Sequence, residues 1–150
     1  MKRLPVYFLF LLGLVSCQSA EELKKEQYYV EGYQLYTTNC ANCHQDDGKG
    51  MANLYPSLTA SSQTSDAAKM ACLIKNGTVL TTSDTLATRR PMPASKKLTE
   101  LEIAEIITYV KTKWGNDSVY TSIETVAEAL RNCPVKKIRD LRSDKSPSPF

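Results

Sequence analysis

The stretch TTNCANCHQDDGKG, Thr37 to Gly50, places two cysteines three residues apart and follows the second with the only histidine in the chain. No other pattern in the 150 residues limits the fold so tightly. A Cys-x-x-Cys pair alone serves as a redox dithiol or as half of a zinc site. Structural zinc takes four ligands, and the chain has no second Cys/His cluster. A redox dithiol has no need of the histidine. The fold therefore has to present Cys40, Cys43 and His44 together from one helical turn and its continuation.

Cys-x-x-Cys-His is the attachment signature of c-type haem. Each thiolate adds to one vinyl group of the porphyrin, and the next residue turns its imidazole to the iron. Cys40 and Cys43 are thus the expected covalent sites and His44 the expected proximal ligand. The sixth ligand cannot be a second histidine, so a methionine thioether is the natural candidate. Of four methionines, Met1 leaves with the N-terminal segment and Met70 falls on an apolar helical stripe. Met51 follows His44 by only seven residues. Met92 stands in RRPMPASKK, where flanking prolines fix the backbone and forbid regular helix. Met92 is the expected ligand, with Met51 or no sixth ligand as the alternatives.

The N-terminus, MKRLPVYFLFLLGLVSC, joins two basic residues to the apolar run Val6 to Val15. That run is shorter than the roughly 20 residues a membrane-spanning helix needs. It reads as an export signal, residues 1–16. Its end, Leu14 to Cys17, resembles the lipobox of bacterial lipoproteins. The resemblance implies a mature chain that begins at a lipid-bearing Cys17 and is anchored durably by its acyl chains. Gln18 stands where enteric lipoproteins retained at the inner membrane carry aspartate, which points by the same analogy to an outer membrane. Cys72 and Cys133 remain, an even pair in an exported protein. They are read either as a disulfide or, for Cys72, as a small buried apolar residue.

Residues from Gly32 to about Asn116 resemble a class I cytochrome c, a small monohaem electron carrier of the bacterial periplasm. The pieces that carry the resemblance are GYQLYTTNCANCH, GKGMANLYPSL, IKNG, PMPASKKLTELEIAEIITYV and WGN. It implies an all-α fold wrapped around one haem c, with an axial methionine just before the last helix, where Met92 stands. Pro56 matches the family position whose carbonyl orients the proximal histidine, the alternative being a plain turn proline. Gly32 matches a glycine that lets the last helix cross closely. Asn53 replaces a glycine common in the family, and asparagine tolerates the left-handed backbone.

The residues support the helices independently. A first helix is expected from about Glu21 through the haem motif, burying Tyr29, Tyr33, Tyr36 and Cys40. A second runs from Asp66 to Lys75 with Ala67, Met70, Ala71 and Ile74 inward, stopped by Asn76-Gly77. The strongest is Leu98 to Trp114. It has a Thr99/Glu102 capping box, a stripe of Ile103, Ile106, Ile107, Val110 and Trp114, and Gly115 at its end. No stretch shows sustained strand alternation. The domain plan is a tether and start of the first helix at 17–27, a haem domain at 28–116 and a helical extension at 117–141. In the extension a Thr121/Glu124 box precedes Val126, Ala127 and Leu130, and a disordered tail follows at 142–150.

Formal charge is +3, but removing Lys2 and Arg3 leaves 17 basic against 16 acidic side chains, or +1. Haem propionates lower it further, so nucleic-acid binding has no support. Arg89, Arg90, Lys96 and Lys97 flank Met92, read as propionate partners, as a rim that steers an acidic redox partner, or as solvated charge. The leading function is electron carriage for a respiratory dehydrogenase or terminal oxidase. The alternative is a haem enzyme subunit or gas sensor with a labile methionine. A distal histidine for acid–base work is absent.

Overall fold

The computed structural model describes residues 19–52, 54–59, 64–78, 90–117 and 119–134. The signal segment, Cys17, Asn53, Arg89 and the tail at 142–150 lie outside the described residues. Within them are five helices and no strand beyond the isolated Met51–Tyr55 bridge. They are α1 (Ala20–Asn39), α2 (Ala41–His44), α3 (Ala67–Asn76), α4 (Glu100–Trp114) and α5 (Ile123–Arg131).

Ser19 caps α1, its hydroxyl accepting from Glu22 N–H at 3.2 Å, and Glu21 and Glu22 face the positive end of the helix dipole. The expected single helix through the haem motif is instead two. Cys40 leaves helical geometry at φ −121°, ψ −36°, and α2 restarts at Ala41. The buried face of α1 also differs from the expected one. It is Tyr28, Gly32 and Tyr36, while Tyr33 is 52% exposed against 1% for Tyr36.

That face packs on α4 at Gly32. A Cβ there would overlap the Glu105 carbonyl oxygen and lie 2.9 Å from the Tyr109 Cβ, so only glycine permits the crossing. Beside it Tyr109 lies among Tyr29, Tyr33, Tyr36 and Trp114, with centroid distances of 5.3, 5.6, 5.3 and 5.6 Å. Such tilted and edge-on pairs add to what area burial alone contributes.

The α4 capping box is present as expected: Glu102 N–H reaches the Thr99 hydroxyl and Thr99 N–H the Glu102 carboxylate. These bonds hold the Glu102 carboxyl below its ordinary range. Ile103, Ile106, Ile107 and Val110 are buried, and Trp114 is half-buried. Gly115 closes α4 with ordinary right-handed backbone; the left-handed residue there is Asn116, φ 54°.

In α3, Met70, Ala71 and Ile74 are buried and Asp66 caps the first turn. α5 is capped by Ser122, not by the expected Thr121. Thr121 is buried instead and donates its N–H at 2.9 Å to the Thr108 hydroxyl, which donates to the Ala104 carbonyl. A buried donor needs its partner, and the Thr121 N–H finds it in Thr108 while the next residue, Ser122, caps the helix. Val126 and Ala129 bury the inner side of α5 against α3 and α4. Cys72 on α3 and Cys133 beyond α5 are joined as a disulfide, their Cα atoms 5.6 Å apart.

Candidate functional site

Cys40 sits at the break between α1 and α2, and Cys43 and His44 occupy the single turn of α2. The turn is bonded through Cys43 and His44 N–H to the Cys40 carbonyl at 3.1 and 2.9 Å. Both cysteines are free thiols and half-buried. Burial pushes the Cys40 thiol up to about 11, so it is protonated at neutral pH.

The chain leaves α2 through Gln45 at φ 63° and returns through Gly48 and Gly50, both near φ 70°. Tyr36 donates its hydroxyl to the Gln45 carbonyl at 2.6 Å, tying the return to α1. The Trp114 ring lies over Gly48, where a Cβ would come within 2.6 Å of it. At Gly50 a Cβ would overlap the Tyr55 carbonyl and meet that of Pro56 at 2.7 Å. This close pass carries the Pro56 carbonyl oxygen to 3.0 Å from His44 Nδ1.

A carbonyl only accepts, so Nδ1 carries the proton and Nε2 keeps its lone pair. Burial lowers the His44 pKa and the bond to Pro56 works against it; the first is the larger effect. The imidazole is thus neutral, oriented, and has one nitrogen free for a metal.

Met92 is half-buried and packs against the core that Cys40, Ala41 and Leu58 also touch. Its segment is bonded on two sides. Arg90 N–H donates to the Leu54 carbonyl at 3.1 Å in the loop after His44. Ser95 N–H donates to the Ile74 carbonyl at 2.9 Å in α3, and the Lys75 ammonium donates to the carbonyls of Lys96 and Leu98 at 3.1 and 2.7 Å. Met51, the alternative ligand, is 42% exposed. Arg90, Lys96 and Lys97 are exposed around the Met92 segment.

These donors fit the haem expected from the motif. Two unpaired thiols stand beside an imidazole with one free nitrogen, and a thioether sits on a loop bonded to the histidine loop. Zinc does not fit, since among the described residues no three His, Cys, Asp or Glu side chains converge. Tyr36, Gly50 and Lys75 were not identifiable as site residues from sequence. For Tyr36 the only signal was its place one helical turn before Cys40.

The family model for cytochrome c matches residues 29–114. A cytochrome c subunit of a quinone alcohol dehydrogenase from Gluconacetobacter polyoxogenes is 32% identical over 106 residues, 69% of this chain and 23% of the relative. The corresponding subunit from Gluconobacter oxydans is 28% identical over 123 residues, 80% of this chain and 26% of the relative. The cytochrome subunit of a fructose dehydrogenase from Gluconobacter japonicus is 32% identical over 105 residues, covering 66% and 22%. The chain therefore spans about a quarter of the length of these relatives.

Proposed function

The chain belongs to the cytochrome c family, and on that footing we propose that it is a monohaem electron carrier tethered on the periplasmic side of a membrane. Family membership brings haem c, covalently bound, and electron transfer rather than substrate turnover. The bound group supplies a one-electron iron couple, whose potential a His/Met pair raises. In this reading Cys40 and Cys43 hold the porphyrin, His44 and Met92 hold the iron, and Pro56 orients the imidazole. One observation carries it: His44 commits Nδ1 to the Pro56 carbonyl and leaves Nε2 free beside two unpaired cysteines.

The test is the visible spectrum of the oxidised and reduced protein, with carbon monoxide added to the reduced form. The unaltered protein is expected to show the weak far-red methionine–iron band when oxidised and no change with carbon monoxide. Met92→Ala is expected to lose the band and to bind carbon monoxide. Ready carbon monoxide binding by the unaltered protein would overturn the closed site. A haem enzyme subunit or gas sensor with a labile methionine would then be the better reading.

The proposed layout keeps the signal at 1–16, a lipid on Cys17, the tether at 17–27, the haem domain at 28–116, the extension at 117–141 and the tail at 142–150. No helix among the described residues is long and apolar enough to cross a membrane, and α1 begins three residues after Cys17. The proposed redox partner is a dehydrogenase, because the relatives are cytochrome subunits of dehydrogenases. In membranes holding such an enzyme, its substrate is expected to reduce the haem. Cys17→Ala is expected to move the protein to the soluble fraction and abolish that reduction. An altered protein that stays with the membranes removes the anchor, and intact membranes that leave the haem oxidised remove the partner.

A further inference from the structure

The tripeptide Pro91-Met92-Pro93 has one backbone N–H, since proline has none. That N–H donates to the Thr78 hydroxyl at 2.8 Å. The Met92 carbonyl is also taken, accepting from Thr78 N–H at 2.9 Å. Both backbone polar groups of Met92 thus pair with one residue, just beyond the end of α3. The approach depends on the residue before it. Gly77 has φ 70°, and a Cβ there would overlap the Met92 carbonyl oxygen and meet Ala94 N at 2.8 Å. Asn76-Gly77 therefore does more than stop a helix: it lets the methionine segment lie directly on the chain leaving α3.

We propose that Thr78 is a positioning residue for the methionine side of the haem, its hydroxyl and amide holding the Met92 backbone so that the sulfur stays on the iron. The inference rests on Met92 as the axial ligand. Nothing within the tripeptide does this. The prolines fix dihedrals, but dihedrals alone leave the segment free to swing as a rigid piece. The neighbouring bonds at Arg90 and Ser95 hold its two flanks, and among the described residues the bonds to the Met92 backbone come from Thr78. The hydroxyl matters more than the amide, because without it the one N–H of the tripeptide has no protein partner.

The experiment uses the haem-loaded protein with Thr78→Val, which keeps shape and removes the acceptor, and Thr78→Ser, which keeps the acceptor. Three readouts are taken: the far-red band of the oxidised protein, the rate at which imidazole displaces the sixth ligand, and the midpoint potential. T78V is expected to weaken the band, accelerate imidazole entry about tenfold and lower the potential. T78S is expected to stay within about twofold of the unaltered protein on the rate, as a retained hydrogen bond requires. Should T78V not fold, Thr78→Ala removes the same hydroxyl and is read in its place. A far-red band and entry rate unchanged by loss of the hydroxyl would overturn the proposal alone. A band missing from the unaltered protein would instead overturn the Met92 ligation, and this proposal with it.

Discussion

Replacing Gly32 with alanine is expected to lower the melting temperature of the haem-loaded protein by about 10 °C or more, a loss of about 3 kcal/mol. The added Cβ overlaps the Glu105 carbonyl, which is backbone and cannot rotate away as a side chain would. To accommodate it α1 and α4 must separate, and their contact is the most extensive between helices among the described residues. Separation unpacks Tyr36 and Tyr109, 1% and 3% exposed, which lose both buried area and each other. It also shifts Cys40, four residues beyond Tyr36 at the end of that helix. Gln34→Ala, on the exposed side of α1, is the control and is expected to change the melt by less than about 2 °C. Melting curves that superimpose for G32A and Q34A would show that the crossing is not as close as described.

The second large effect is expected from the disulfide. Cys72 and Cys133 are 61 residues apart in sequence. Opening a loop of that length gives the unfolded chain entropy worth about 4 kcal/mol in the chain-entropy account. The paired substitution to alanine, Cys72→Ala with Cys133→Ala, removes the link and little else. The melting temperature is expected to fall by about 10 to 15 °C, and amide exchange in α5 to accelerate before that in α4. Burial of Val126 and Ala129 keeps α5 in place at low temperature, so the variant remains folded at 25 °C. An unchanged melt together with unchanged exchange in α5 would mean that packing alone retains the extension.

What could be read in the sequence was what is local. The Thr99/Glu102 box and the α4 stripe depend on residues within a few positions, and each stands where the pattern put it; the second helix, expected from Asp66, begins at Ala67 with Asp66 as its cap. The buried face of α1 was misread because its centre is Gly32, which has no side chain to enter a hydrophobic pattern. Tyr29 and Tyr33 completed a regular spacing and drew the face round toward themselves. The break at Cys40 had no breaker residue to announce it. Thr121 and Ser122 are adjacent hydroxyls with acceptable partners three residues on, so local chemistry could not choose between them. The Thr121 N–H pairs with the Thr108 hydroxyl, 13 residues earlier, a contact no local pattern shows. The Thr78–Met92 pair escaped for the same reason, since 14 residues separate its members and neither is unusual alone. The cysteine motif was legible because covalent chemistry, unlike packing, requires fixed residue types at fixed spacing.

The two cysteine pairs of the haem domain and its extension must meet opposite fates. Cys72 and Cys133 are oxidised together, while Cys40 and Cys43, on the proposed haem attachment, have to be thiols when each forms its carbon–sulfur bond. Four cysteines allow three complete pairings, and every one of them takes up both motif thiols, so only the single Cys72–Cys133 bridge leaves Cys-x-x-Cys free. The folded chain sorts them, because it brings Cys133 to Cys72 across the α3–α5 contact and not to the haem motif. A newly made chain that pairs its motif sulfurs has to be reduced before it can take the porphyrin. A reductant strong enough to free a wrongly oxidised motif also threatens the bridge that the finished protein keeps.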